Sequence, residues 1–513
     1  MHYAGTSVRK LVLILVLGCS SHIVIAVPSQ AEEAPDIQTE SYHNRQQAIP
    51  PPIPRARWSE DWSTFGNSTP LTYPEISPTS YFWSPLKNIP IGHNNESYLN
   101  LGGELRLAYE IYDEKDMSLS DIGYQDALQL RAAIHGDLHL TRKWRLFGQF
   151  GYGVVDNREG GEKTADEADI NAWELFIGRR FLIDEKERVV VRLGRQLIEA
   201  ANLFINVGEG NNIRQHYDGL RVGWIDKEFV KLDLFVAEYV DFSDESFSMS
   251  GTGEYFWGAT GGFRFAKSLL SLNCSYFGWD LKDRQFQQGG AGRHDEQRHT
   301  LLLRLNQPIN LERQLQRPLS TTDQLGLDYY LAYQFGEYED RPGGSSIHSF
   351  AGFGEIRYGL YPQPDTPIIG LKTAYFSGDD DPDDSELNTF YNHVFATPFF
   401  GYARDIQPFN LIYVQPNIGY NFGDGAIITL GCGFQWRADT SDAFYSKPNG
   451  ITASAGSSES SWLGHQVQLS ARYLINPNLL LTGYIARFFA GDMIVDAGGD
   501  DRDYLHLGIH YLF

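Results

Sequence analysis

The stretch YLNLGGELRLAYEIY, residues 98–112, sorts by parity: Leu99, Leu101, Leu105, Leu107 and Ile111 on one side, Asn100, Glu104, Arg106 and Glu110 on the other. Side chains alternate faces along a strand, so the segment predicts a β-strand with one apolar and one charged face. A single such strand suits a soluble sandwich, where the apolar face is core, as well as a membrane barrel, where that face meets lipid. Repetition separates the two. DALQLRAAIHGDLHLT (126–141) sets Leu128, Leu130, Ile134, Leu138 and Leu140 against Gln129, Arg131, His135, Asp137 and His139. The chain closes on YLHLGIHYLF (504–513), with Leu505, Leu507, Ile509, Tyr511 and Phe513 opposite Tyr504, His506, Gly508 and His510.

Segments of this kind recur through 144–155, 169–181, 187–198, 216–226 and onward to the C-terminus. They amount to roughly eighteen strands of about 10–14 residues, an even number and long enough to cross a bilayer at a tilt. A soluble all-β chain of 513 residues would use shorter strands and divide into domains. The expected fold is therefore all-β, a transmembrane antiparallel barrel spanning 98–513. Aromatic residues at 14 % and 51 glycines suit interfacial girdles and tight turns. A mean hydropathy of -0.34 is no objection, because only alternate residues of a barrel strand face lipid.

At the N-terminus, Arg9 and Lys10 precede LVLILVLG (11–18), the basic-then-apolar order of an export signal, with cleavage after Ala26 or Ala31. Residues 1–31 are read as that signal and 32–97, rich in Pro, Glu and Gln at first, as a mostly irregular periplasmic segment. Cys19 follows Leu17-Gly18, a bulkier approach than a lipidation site takes. Cys274 and Cys432 sit on apolar parities without metal-site spacing. Long connections at 282–295, 379–408 and 438–462 contrast with short ones such as NPN (476–478), as outer loops contrast with periplasmic turns.

The net charge of -23 comes largely from connections such as DEKD (113–116), DEKE (184–187), DDDPDDSE (379–386) and GDDRD (499–503). On the polar strand parity stand Arg106, Arg131, Arg145, Arg192, Arg221, Arg264, Arg304, Arg357, Lys372, Arg437 and Arg472, against Glu104, Glu110, Asp137, Glu174, Asp233, Asp328 and Glu355. The projected lumen is mildly basic inside an acidic protein. Guanidinium forks pair with carboxylates at two points, so carboxylated sugars are the obvious passenger, while pairs such as Glu104 with Arg106 also suit a wall that neutralises itself. The aspartate run lacks the fixed ligand spacing of a calcium loop. An enzyme would need a nucleophile elbow, an H-E-x-x-H helix or a Cys/His cluster, and the sequence has none of these motifs. No metal, cofactor or nucleic acid is expected.

Several stretches, taken together, resemble the alginate export family, outer-membrane barrels of Gram-negative bacteria. They are RARWSEDWSTF (55–65), SPLKNIPIG (84–92) and YLNLGGELRLAYE (98–110), then VRLGRQ (191–196) with NIRQHYDGLRV (212–222). TFYNHVFATPFFGY (389–402) and GHQVQLSARYLINPNLLLTGYIARFFAGDM (464–493) complete the series. The resemblance implies an eighteen-stranded barrel in the cell outer membrane, whose lumen arginines and acids pass a polyuronate outward, in contact with membrane lipid and with periplasmic export components. It points to Arg195, Arg214, Asp218 and Arg221 for an internal constriction, with Glu104 and Arg106 near the first strand. Arg195 shares parity with Val191 and Leu193, so a place at the strand end is the alternative. The loop ANLFINVGEGNN (201–212) departs from the arginine-bearing pattern of the family, which leaves the passenger open between alginate, another anionic saccharide and small anions.

Overall fold

The computed structural model describes residues 83–513 apart from 92–96, 121, 142, 159–165, 184–186, 209–210, 227–229, 243–250, 266–269, 310–323, 363–365, 423–425, 448–449 and 477. The expected signal (1–31) and most of the irregular segment (32–97) lie outside the described residues.

Long strands follow one another as an up-and-down meander. They are β1 (Tyr98–Asp113), β2 (Gln125–His139), β3 (Trp144–Asp156), β4 (Ala168–Leu182), β5 (Glu187–Gln196) and β6 (His216–Asp226). Then come β7 (Val230–Val240), β8 (Gly251–Arg264), β9 (Ser271–Gln285), β10 (Arg293–Gln307), β11 (Leu325–Tyr338) and β12 (Ser345–Gly359). The last are β13 (Pro367–Phe376), β14 (Leu411–Asn421), β15 (Ala426–Trp436), β16 (Trp462–Asn476), β17 (Leu479–Ala490) and β18 (Arg502–Leu512). Each pairs antiparallel with its neighbours, and β18 returns to β1 from Glu104↔Leu512 to Asp113↔Asp503, which closes an eighteen-stranded barrel. Closure leaves no unpaired edge, the condition for a sheet to stand in hydrocarbon.

Phe513 extends the seam: its N–H donates to the Gly103 carbonyl and its carbonyl accepts from the Gly103 N–H, both at 3.0 Å. Its ring lies 4.5 Å from that of Trp83, whose Nε1 donates to the Tyr511 hydroxyl at 2.6 Å. Below the seam, Ile89–Pro90 pairs with Leu99 and Tyr98, so the chain's own N-terminal segment covers the part of β1 that β18 does not reach.

The alternation sorts as the sequence predicts. Leu105, Leu107, Leu193, Leu220, Leu331, Ile485 and Leu507 are exposed on the outer surface, while Glu104, Arg106, Glu110, Arg131 and His506 are buried. Apart from 308–324, the connections at the end bearing the C-terminus are short, such as 140–143 and 183–186, and those at the other end include 197–215, 377–410 and 437–461. The 282–295 connection is shorter than expected, because β9 runs on to Gln285 and β10 starts at Arg293.

Inside, the two walls differ. From β7 to β14 the inward face carries Phe235, Phe256, Phe277, Trp279, Tyr330, Phe353, Phe376 and Tyr413, all buried in one apolar cluster. The loops 197–215 and 377–410 fold inward to cover it. Phe204 stacks on Phe277 at 5.4 Å, Phe395 meets Phe353 edge-on at 5.2 Å, Phe390 lies 5.4 Å from Phe376 and Phe400 lies 5.2 Å from Tyr413. Burying one such ring is worth about 1.5–3 kcal/mol, so this cluster holds two polar-ended loops inside the barrel. The loops also bond to each other: Asn206 N–H donates to the Val394 carbonyl at 2.9 Å, Ala396 N–H to Leu203 at 2.9 Å and Asn392 Nδ2 to Phe204 at 2.7 Å. On β3, Gly153 leaves room for the tip of the first loop, since a Cβ there would stand 2.3 Å from Ile213 Cδ1.

Candidate functional site

The charged wall runs from β1 through β7. Arg106 and Arg131 stand directly opposite each other in the β1–β2 register, a like-charge pair that costs energy unless it is compensated. The compensation arrives from loop 197–215. Arg214 grips Glu104 at two points, 2.8 and 2.6 Å, and Glu104 also lies 3.4 Å from Arg131 Nε. Arg106 donates to Gln129 Oε1 at 2.9 Å, and Arg131 donates to the Asn211 carbonyl at 3.2 Å. Asn212 Nδ2 ties the loop to the wall through the carbonyls of Leu130 and Val154, each at 3.1 Å, and of Asp166 at 2.8 Å.

Further round, Arg145 binds Asp137 at 2.7 and 3.0 Å and Arg221 binds Asp233 with contacts down to 2.6 Å. Arg192 faces Arg221 directly across β5 and β6, and its guanidinium lies 5.2 Å from the Phe176 ring. The positive charges of Arg145, Arg192 and Arg214 bear on Glu174 of β4, which is buried and accepts from the Leu197 N–H at 3.4 Å. Glu110, near the upper end of β1, gathers Gln129 at 2.7 Å, Arg404 at 3.0 Å, Tyr504 at 3.1 Å and His506 at 3.4 Å.

The remaining residues singled out from the sequence are dispersed. Arg195 and Asp218 are cross-strand partners with two bonds of 2.9 and 2.8 Å, in register with the outward-facing Leu175 at the loop ends of β5 and β6. Their strand parity is that of the exposed Leu193 and Leu220, yet Arg195 itself is buried, donating to the Ala172 carbonyl at 3.2 Å with its guanidinium 5.6 Å from the Phe242 ring. Arg304 is held by Asp328 at 2.7 and 3.0 Å, and Arg357 lies 3.7 Å from Glu355, both far round the wall from Arg106. The side chain of Arg264 lies outside the described residues. Parity counting did not find Arg404, Asp405 or Asn212, because they sit on loops whose inward course depends on distant strands. Arg404 directly follows the TFYNHVFATPFFGY stretch and its neighbour Ala403, and that apolar run was the available signal.

The aspartate run is also split by the fold. Asp380, Asp381, Asp383 and Asp384 are exposed, whereas Asp379 is fully buried against Asp442 of the 437–461 loop. Among the described residues no group of three or more His, Cys, Asp or Glu side chains is arranged to hold a metal ion. Asp442 accepts from Thr389 and Tyr445, each at 2.7 Å, and from the Asp379 N–H at 3.1 Å. Burial, then the facing Asp442, pushes the Asp379 carboxyl up to about 8, and burial pushes Asp442 up to about 6 against its hydrogen bonds. Both folded values lie above the ordinary value of about 3.9, so the stabilisation is full below that value and is lost as pH rises through about 6 and then about 8. Protease cleavage within 377–410 is therefore expected to increase from pH 5 to pH 9. Asp379→Asn should flatten that dependence; an unchanged profile in the variant would exclude this pair as its source.

The description of the alginate export family matches residues 97–507. No curated protein matches the chain. Among solved structures it is similar to the outer membrane protein opdK of Pseudomonas aeruginosa, with 12% identity, TM-score 0.50 and coverage of 81% of this chain and 98% of that one. It is similar also to Pseudomonas aeruginosa OpdL, with 14% identity, TM-score 0.51 and coverage of 81% and 98%, and to Acinetobacter baumannii OccAB1, with 13%, 0.51, 81% and 96%. At these identities the likeness is one of fold.

Proposed function

Because the chain belongs to the alginate export family, we propose that it is a passive outer-membrane conduit for an anionic polysaccharide or oligosaccharide such as alginate. Its family and fold are those of outer-membrane channels, and it is a protein of the cell outer membrane. The observation that carries the passenger is the pairing of arginine with arginine. Arg106 faces Arg131 and Arg192 faces Arg221 directly across neighbouring strands. A wall built only for stability would alternate its charges there. Protein acids and loop 197–215 offset this crowding, and a chain of carboxylated sugars moving past would take their place, exchanging one two-point contact for the next without a deep trap. No covalent step is needed; a concentration gradient drives the passage.

One observation favours a second reading. The loops 197–215 and 377–410 occupy much of the lumen, which suits a porin for small anions. Single-channel conductance separates the two. Oligouronates are expected to block the ionic current in a length-dependent way, and neutral oligosaccharides of equal length to leave it unchanged. Absence of block by any acidic sugar would give the small-anion reading the field.

A further inference from the structure

The inserted loop 377–410 is held to the barrel by two unlike attachments. Its larger part, up to residue 400, is anchored by apolar packing on the wall of β11 to β14, where Phe390, Phe395, Phe399 and Phe400 are buried. Its second part, 401–407, leaves that wall and reaches the seam where β17, β18 and β1 meet. Four strands lie between β13 and β18, so at about 4.8 Å for each of the five interstrand spacings the crossing matches roughly 24 Å of wall.

The contacts at the far side join ion pairs to a small apolar cluster, in which Ala403 is buried among Tyr112, Tyr484, Ala486 and Tyr504. Arg404 binds Glu110 of β1 at 3.0 Å and also donates to the Asn211 side chain of the other loop. Asp405 binds Arg502 of β18 at 2.6 Å. Tyr112 donates its hydroxyl to the Ala403 carbonyl at 3.0 Å, and Tyr402 stacks on Tyr484 of β17. Arg404 itself has φ +59°, a left-handed conformation that a non-glycine residue keeps only while its surroundings enforce it.

The wall side of these contacts is provided for without the loop. Glu110 keeps Gln129, Tyr504, His506 and, at 3.7 Å, Arg158. Arg502 keeps Gln466 at 2.8 Å. Lifting 401–407 away thus leaves Glu110 with its other partners and Arg502 with the neutral Gln466 alone, relieves the backbone at Arg404, and leaves the apolar anchor in place. Losing one partner of a buried ion pair is normally severe because the other is left unpaired; that penalty is reduced at Glu110, whereas at Arg502 an incoming carboxylate has to replace Asp405.

We propose that residues 401–407 are a strap across the lumen, clasped to the β17–β18–β1 seam by two exchangeable ion pairs, and that a polyanionic saccharide opens it. The sugar carboxylates take Arg404 from Glu110 and Arg502 from Asp405, and the strap swings about its apolar anchor. The saccharide part of this inference rests on the proposed function; the strap does not.

The test uses the full barrel in planar bilayers. In potassium chloride alone, Arg404→Gln and Asp405→Asn are each expected to raise mean conductance several-fold, with more frequent open events. The exchanged pair Asp405→Arg with Arg502→Asp should return it toward the wild-type level. Wild-type conductance in both single variants, with heat-modifiable migration showing that they are folded, would overturn the strap. A second measurement needs no variant: hydrogen exchange of 401–407 in the wild-type barrel should quicken with an oligouronate and not with a neutral oligosaccharide. Equal exchange in both, together with open variants in salt, would keep the strap and reject the acidic saccharide as its key. Equal exchange with closed variants would reject both.

Discussion

Replacing Arg192 by Glu is expected to move the reversal potential in a potassium chloride gradient from the anion side to the cation side. Arg192 stands among Arg145 and Arg221 near Glu174, and ions in a narrow, poorly screened passage feel each reversed charge far more than they would at an open surface. Arg221 is the poorer choice for this substitution, because Asp233, fully buried, would lose its two-point partner and the fold would suffer first. Arg487→Glu is the control: Arg487 is half-exposed on the outer parity of β17, paired with Asp501 and Asp503, and its reversal should leave selectivity as it was. If the potential stays put in Arg192→Glu and moves in Arg487→Glu, the passage does not run along the arginine wall.

Glu104→Gln should give the largest loss of stability among single lumen changes. Glu104 is buried and carries both bonds from Arg214 and the contact with Arg131, so its neutralisation leaves a buried guanidinium short of counter-charge, at a cost of about 3–5 kcal/mol. The first consequence falls on loop 197–215, which Arg214 pins to β1. Its backbone should become open to protease, and the temperature at which the barrel loses its heat-modifiable form should fall. Adding Arg214→Gln removes the stranded charge and should recover part of the loss. A Glu104→Gln barrel with wild-type melting and a protected loop would show that the pair is replaceable by water.

Both predictions concern groups that the sequence located with different success. Arg106, Arg131, Arg192 and Arg221 were legible because a strand repeats every two residues, and parity relative to Leu105, Leu107, Leu193 and Leu220 assigns a face without knowledge of any partner. The same rule handled the closing strand, since Leu505, Leu507 and Ile509 could only be outward if His506 and His510 were inward. It was blind on the opposite wall. Phe277, Phe353 and Phe376 are inward aromatics, and in a barrel strand an aromatic side chain is as much at home against lipid as against a buried loop. Arg195 was the ambiguous case: it pairs with Asp218 at the loop end of β5, on the parity of the exposed Leu193, and is nonetheless buried.

By itself the sequence determined the class of fold, the approximate number of strands and, where leucines alternate with charged residues, which side of a strand meets lipid. These follow from local periodicity repeated many times, so each strand votes independently. Only the tertiary structure decided that loops 197–215 and 377–410 enter the barrel, that Arg214 meets Glu104 from 110 residues away, and that Arg404 and Asp405 reach β1 and β18. Those contacts depend on which distant strands the closed sheet brings to face one another across the lumen, and no period within a loop carries that information.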